Sequence, residues 1–379
     1  MSATSLQVNP RVLLWARESL GLNKTAASER LGVGLAQLVA WESGDVQPGV
    51  AELRAMAKAY KQTLATLLLY EPPAELPLPT DFRTINSDEV GGFSEKTIQA
   101  VRKARAMATS WVELRQEFGL PIGQVPLQAS LANDPGQIAF KIRELLGIQQ
   151  LKGAGTDIWA LEWSIERLEM WGIAVFQMNL TADDIRGFCM TDAAAPTIVV
   201  KRSEPTSGKL FTLFHELGHI LLRQVGICDL ASNNQRPIEQ WCNSFAATLL
   251  VPSDELLCHP IIQEQYELRN MHWRKVDLES IASQFHVGKL VILRRLLDLG
   301  RTNQQFYHSK HDSWNKPTFG RGIGKGRNIP KETVQEKGKS YVQLAFKAFD
   351  QNRINLKDLS DFLGVKLKYL SKTREYLNV

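Results

Sequence analysis

The sequence predicts a multidomain, mainly α-helical protein with a small β-sheet in its central part. The chain of 379 residues is long enough for two or three domains with separate cores. Apolar residues recur at spacings of three and four over most of its length, as they do along amphipathic helices. Only 172–180 and 196–201 are rich in Val and Ile in the manner of strands. This order of helices and strands favours an α+β central domain between helical ends.

Segments rich in proline or glycine divide the chain. EPPAELPLPTDF at 71–82 is proline-rich and predicts a linker. NKPTFGRGIGKGRNIPK at 315–331 has many glycines and no acidic residue, and it predicts a flexible basic linker rather than a phosphate-binding loop. We expect an N-terminal helical domain, a linker with a helical connector, a central α+β domain and a basic C-terminal helical region, over residues 1–72, 73–136, 137–300 and 301–379 respectively.

Composition indicates a cytoplasmic protein without a membrane anchor. Hydrophobic residues make up 44% and charged residues 22%, which is ordinary for a globular protein. The sequence contains no run of apolar residues long enough to span a bilayer and no signal-peptide pattern. The four cysteines have no CxxC spacing, so reduced thiols are expected.

Charge is unevenly distributed along the chain. The net charge is +5, but residues 301–379 alone contain 16 Lys and Arg against 7 Asp and Glu. A basic end is typical of binding to nucleic acid or to an acidic partner, and a solvated tail is the alternative.

A short pattern recurs three times: a small residue, an apolar residue three positions later and Val five positions later. This spacing is typical of the turn in a helix-turn-helix, although other helical hairpins also produce it. The three occurrences are Ser28, Leu31, Val33; Ala282, Phe285, Val287; and Ser360, Leu363, Val365.

The segment FTLFHELGHILL at 211–222 contains the candidate metal site. His215 and His219 are four residues apart, so on a helix they project from one face and can bind one ion. Glu216 lies beside this face, where it could act as the general base of a metalloprotease. The alternative is a buried helix whose two histidines are satisfied core residues.

A third ligand is expected on the helix that begins near 238, in IEQWCNSFAATLLVP. Glu239 lies near the start of this helix, and Asn243 follows one turn later, where it could accept the free N–H of a zinc-binding histidine. Cys242 is a competing ligand, although packing is the simpler role for it. His259 and His286 are further candidates for stabilising a transition state, or ordinary polar residues.

FTLFHELGHILL together with EQWCNSFAATLLVP resembles the ImmA/IrrE-type zinc metallopeptidases. The resemblance implies a zincin-like central domain in which His215, His219 and Glu239 hold Zn²⁺ and Glu216 is the general base. The N-terminal segment LGLNKTAASERLGVGLAQLVAWESGDVQP resembles the helix-turn-helix domain of phage-repressor type, which is often fused in front of this peptidase.

In such a domain the second helix of the motif enters the major groove of DNA. Its first residues here include Leu35, Ala36 and Gln37, of which only Gln37 can form hydrogen bonds with a base. Lys24 could bind a phosphate. Double-stranded DNA is therefore one candidate partner, and the alternative is a domain that docks on a protein.

These observations predict a cytosolic zinc-dependent endopeptidase with a regulatory role. By resemblance, its protein substrate would be a transcriptional repressor. We expect the strand at 196–201 to lie at a sheet edge, where it could align the substrate backbone. The alternatives are a DNA-binding regulator whose zinc site is structural or sensory, and a toxin–antitoxin or phage-immunity component.

Overall fold

A computed structural model describes most of the chain. The described residues are 7–73, 95–180 except 152 and 154, 185–223 except 192, 237–268, 271–314 and 328–377. The chain divides into two compact units, Met1–Val101 and Arg102–Val379. Most of the predicted linkers, 74–82 and 315–327, lie outside the described residues.

The first unit is entirely helical over its described residues. Its helices are α1 (Pro10–Glu18), α2 (Lys24–Leu31), α3 (Leu35–Ser43), α4 (Val50–Ala59) and α5 (Leu64–Leu67), and α6 (Glu95–Glu117) begins in this unit. Asparagine side chains begin two of them, since Asn9 accepts from the Arg11 amide and Asn23 from the Ala26 amide. Trp41 and Leu53 are among the side chains that form the core.

A buried ion pair links α1 to α3 in this unit. Arg17 Nε donates to Glu42 Oε1 at 2.6 Å, and Arg17 Nη2 donates to Glu42 Oε2 at 3.0 Å. Arg17 also donates to the Leu22 carbonyl at 2.6 Å. Gly44 ends α3 with a φ of 89°, and a Cβ there would lie 2.8 Å from the Pro10 ring. These contacts account for Glu42 and Gly44 in the segment WESG, residues 41–44, at the end of α3.

The second unit combines helices with one small sheet. Its elements after α6 are α7 (Pro135–Leu146), α8 (Asp157–Met170), β1 (Ala174–Met178), β2 (Gly187–Met190), β3 (Thr197–Lys201), α9 (Thr206–Leu221), α10 (Pro237–Leu250), α11 (Ser253–Leu257), α12 (Pro260–Glu267), α13 (Lys275–Gln284), α14 (Lys289–Asp298), α15 (Gln304–Trp314), α16 (Ile329–Lys337), α17 (Lys339–Asp350), α18 (Leu356–Leu363) and α19 (Leu370–Glu375). This arrangement confirms the predicted multidomain, mainly helical fold.

The strand order of the sheet corrects one expectation. Within the described residues the order is β1-β3-β2, with β1 parallel and β2 antiparallel to β3. The 196–201 strand is therefore central, not at an edge, and its backbone already pairs on both sides. The prediction that it aligns a substrate backbone is wrong for this reason.

The segment after α10 forms two short helices, because α11 ends at Leu257 and α12 begins at Pro260. Pro260 cannot donate a backbone hydrogen bond to the preceding turn, so it begins a new helix. The His259 side chain caps this helix by accepting from the Ile261 amide at 3.2 Å.

The last four helices pack against one another, and α16 also packs against β1. The buried side chains of these four helices include Val342, Phe346, Leu359 and Leu370. The Tyr341 hydroxyl donates to the Phe362 carbonyl at 2.9 Å, which joins α17 to α18. Over the described residues, no helix of the chain is both long and apolar enough to cross a membrane.

Candidate metal centre

Helix α9 places two histidines side by side in the core. Its apolar residues Leu210, Leu213 and Leu217 are fully buried against the sheet and the neighbouring helices. His215 is 0% and His219 3% exposed on this helix, and their Nε2 atoms lie 3.2 Å apart. Burial of two imidazoles in such a setting is costly unless a partner satisfies their nitrogen atoms.

Helix α10 supplies that partner. Glu239 lies in its first turn, where the helix dipole favours a carboxylate. Its Oε2 atom is 3.3 Å from His215 Nε2, and its Oε1 atom is 3.5 Å from His219 Nε2. The Glu239 side chain is 15% exposed, so it is the part of the cluster that reaches the surface.

The spacing of these ligand atoms fits a zinc ion. Four ligands at zinc's usual bond lengths of about 2.0–2.1 Å, arranged tetrahedrally, lie about 3.3 Å from one another. The measured separations are 3.2, 3.3 and 3.5 Å. Among the described residues, His215, His219 and Glu239 are the group that could hold a metal ion, and two nitrogen donors with one carboxylate suit zinc.

Burial also keeps the His219 imidazole in the form that a metal requires. It lowers the pKa of His219 well below the usual value, and the neighbouring His215 lowers it further. His219 is therefore neutral at physiological pH and can donate an electron pair to a cation. The Nδ1 atom of His215 is buried and forms no hydrogen bond with the described residues.

A glycine lets the two ligand-bearing helices approach each other. A Cβ at Gly218 would lie 3.1 Å from Cys242 Sγ and 3.3 Å from the Phe245 ring. Burial raises the pKa of the Cys242 thiol far above its usual range, so this side chain stays protonated and packs against Gly218. The HExxH motif is recognisable in the sequence, but the packing role of Gly218 within it is not.

A second glycine lets β2 approach α9 near Glu216. The Glu216 side chain is 0% exposed. A Cβ at Gly187 on β2 would lie 2.5 Å from Thr212 Cγ2 and 3.4 Å from Glu216 Oε1. Strand β2 thus packs closely on α9 at Gly187, where a side chain would clash with Thr212, one turn before Glu216. The sequence signal for this position is a lone glycine before a short apolar strand, which is weak.

Two buried arginines hold the C-terminal end of α10. Arg143 donates to the Leu249 carbonyl and forms an ion pair with Glu255 at 2.6 Å. Arg295 donates to the Val251 carbonyl at 3.0 Å. Such donors satisfy carbonyl groups that a helix end leaves without an intrahelical partner. The Trp241 indole fixes the other part of α10 by donating to the Asn133 carbonyl at 2.8 Å.

Two other polar residues singled out from the sequence, Asn243 and His286, are not among the three ligand residues. Asn243 is half-buried on α10, one turn after Glu239, and its contact with a zinc-binding histidine stays a prediction. His286 lies 2.8 Å from Asp157 and 3.0 Å from the Leu151 carbonyl. Those bonds tie the α13–α14 turn to the start of α8, which gives His286 a structural role.

The four candidate DNA contacts are all on the surface of the first unit. Lys24 is exposed at the start of α2, and Leu35, Ala36 and Gln37 are exposed in the first turn of α3. The structure thus leaves these positions accessible, and their contact with DNA stays a prediction.

The fold and the site together define a protein that joins a helix-turn-helix unit to a domain of metallopeptidase type. Residues 168–297 match the family described as the IrrE N-terminal-like domain, and residues 13–67 match the helix-turn-helix family. The two matches together fit a helix-turn-helix domain of phage-repressor type joined to an ImmA/IrrE-like metallopeptidase domain. No curated protein and no solved structure matches the chain.

Proposed function

We propose that this protein is a cytosolic, zinc-dependent endopeptidase that controls gene expression by cutting a transcriptional repressor. The observation that carries the proposal is the cluster of His215, His219 and Glu239, with ligand atoms within 4.8 Å of one another. Its position inside a domain of a metallopeptidase family supports peptide hydrolysis as the chemistry. The helix-turn-helix family of the first unit supports a role in transcription.

His215, His219 and Glu239 would hold the zinc ion, which would act as a Lewis acid that polarises a peptide carbonyl and lowers the pKa of the attacking water to about 7. Glu216 follows His215 by one residue, so its carboxylate projects about 100° around the helix from that ligand. From this position Glu216 accepts a proton from the water and later returns it to the leaving amine.

Substitution of Glu216 by Gln tests this assignment. The amide keeps the shape of the side chain but cannot accept the proton, so cleavage falls by about 10²–10⁴-fold. Zinc content stays equal to that of the wild type, because Glu216 is not one of the three ligands. Both zinc-loaded proteins are incubated with lysate from the host lacking this gene, and new protein N-termini are identified by mass spectrometry.

The outcomes separate the two parts of the proposal. N-termini that appear with the wild type alone identify substrates, and a DNA-binding repressor among them supports the regulatory role. Cleavage of other proteins only would support the peptidase activity and contradict the proposal that a repressor is the substrate. Equal cleavage by the Glu216→Gln protein would contradict the assigned base.

A second function is favoured by the burial of the site. His215 and Glu216 are 0% exposed, as in metal sites that stabilise a fold or sense a ligand. A DNA-binding regulator with a structural or sensory zinc would show this geometry and no cleavage. In that case zinc removal would change DNA binding or unfolding, while Glu216→Gln would behave as the wild type in both measurements.

A further inference from the structure

The three sequence repeats share one backbone connection. In each, the amide of the valine donates to the carbonyl of the small residue five positions earlier, at 3.1 Å. The residue before the valine has a positive φ: 68° at Gly32, 55° at His286 and 65° at Gly364. The residue after the valine is extended and begins the next helix. The helix-turn-helix connection is therefore present three times in the described chain.

The first and last copies also agree along their helices. Asn23 and Asn355 begin their first helices by accepting a hydrogen bond from the amide three residues later. The last copy continues through a 3₁₀ turn at Leu367–Tyr369 directly into α19, and we call Leu367–Glu375 the C-terminal second helix. Its buried residues, Leu370 and Thr373, correspond to the buried Leu38 and Trp41 of α3.

The middle copy shows that the connection alone does not define a binding surface. It joins α13 to α14 within the segment that matches the peptidase family. Its second helix has both Leu293 and Arg295 buried, and Arg295 donates to the Val251 carbonyl. The middle copy is therefore part of the domain core. A copy that binds a partner is expected to differ from it in the exposure and charge of its second helix.

Those two properties single out the C-terminal second helix. Lys366 precedes it, and Lys368 and Lys372 lie on it; all three are exposed. None of the three forms a salt bridge with the residues that the structure describes. Arg374 differs, because it pairs with Asp350. Positions equivalent to the three lysines in the first copy are Gly34, Ala36 and Ala40, which carry no charge.

We propose that residues 355–375 are a second helix-turn-helix that binds duplex DNA. The C-terminal second helix enters the major groove, which admits an α-helix. Lys366, Lys368 and Lys372 contact phosphates, and the exposed Leu367 is placed to meet a thymine methyl group. Duplex DNA is the favoured partner because the shared geometry is that of the domain matched as a helix-turn-helix, and the added charge is opposite to that of phosphate. This inference does not depend on peptidase activity.

The test measures binding of the zinc-loaded full chain to a labelled duplex of random sequence by fluorescence anisotropy. The variant is Lys366→Gln/Lys368→Gln/Lys372→Gln. A matched control, Lys58→Gln/Lys141→Gln/Lys331→Gln, removes the same charge from other exposed positions. At about 50 mM salt we expect the variant to bind at least about tenfold more weakly and its salt slope to fall by about 2–3, since each phosphate contact contributes about 0.9.

Three results would overturn the inference. One is wild-type protein that does not bind the duplex at about 50 mM salt; another is equal weakening of the variant and the matched control. The third is a loss of binding in Lys24→Gln/Gln37→Ala together with unchanged binding in the C-terminal variant, which would place the DNA contact on α3. Lys366→Arg/Lys368→Arg/Lys372→Arg is expected to retain binding, and thermal unfolding checks that each variant is folded.

Discussion

Nε2 of His215 lies 3.3 Å from Oε2 of Glu239, although the two residues belong to different helices. Neither helix alone offers more than two ligand atoms, so the metal site exists only when α9 and α10 pack together. The contacts that fix this packing therefore also fix metal affinity.

Glu239→Ala is expected to reduce zinc affinity by at least about 100-fold, because changing even an outer contact of a zinc ligand costs about 10–100-fold. Competition with a chromogenic chelator measures the affinity, and elemental analysis measures the stoichiometry. Gln240→Ala is the control, since Gln240 is exposed on the same helix. Wild-type affinity in the Glu239 variant would rule out this residue as a ligand.

Gly218→Val is expected to weaken zinc binding without touching a ligand atom. The added methyl groups would collide with Cys242 Sγ, only 3.1 Å from a Cβ at this position, and push α10 away from α9. Overpacking of this kind costs about 1–3 kcal/mol of folding stability. Zinc affinity and thermal unfolding are the two measurements.

Gly208→Val on the same helix is the control, because a Cβ there has no neighbour closer than 3.4 Å. The double variant Gly218→Val/Cys242→Ala should recover part of the affinity, since it removes the sulfur. If Gly218→Val and Gly208→Val bind zinc equally well, the close approach of the helices does not set the site.

The sequence contains the ligands but not the contacts that position them. The HExxH spacing fixes two histidines on one helical face, and Glu239 is found because a lone acidic residue begins the next apolar helix. The central position of β3 is not visible, because its pairing with β1 and β2 depends on long-range register. The packing roles of Gly187 and Gly218 are not visible in the sequence either. The requirement for glycine at these positions is clear only once the element that packs against each of them is known.

Glu169 is expected to make folding stability fall as the pH rises. Burial raises the pKa of this carboxyl from 4.5 to about 7, opposed by a hydrogen bond with Ser340 and by the charge of Arg115. Between these values the folded state binds more protons than the unfolded state, so the free energy of unfolding decreases with pH. The loss by pH 8 is about 3 kcal/mol.

Glu169→Gln stays neutral and should remove that loss, so the variant unfolds at higher urea than the wild type at pH 8 and at similar urea near pH 4.5. Glu162→Gln on the same helix is the control, because its side chain is 47% exposed. If the free energy of unfolding changed with pH in the same way in the wild type and in Glu169→Gln, the raised pKa of Glu169 would be contradicted.

Glu42→Gln is expected to destabilise the first unit. It removes the buried carboxylate that pairs with Arg17 and leaves the guanidinium with the exposed Glu18, 3.3 Å away. Breaking a buried pair in this way costs about 3–5 kcal/mol. Hydrogen exchange of the full chain should show faster exchange across α1–α5 and unchanged exchange in α9 and α10. Arg17→Met/Glu42→Leu replaces the pair with apolar side chains and should restore most of the protection. Protection in Glu42→Gln equal to the wild type would mean that the 2.6 Å contact between these residues contributes little to the fold.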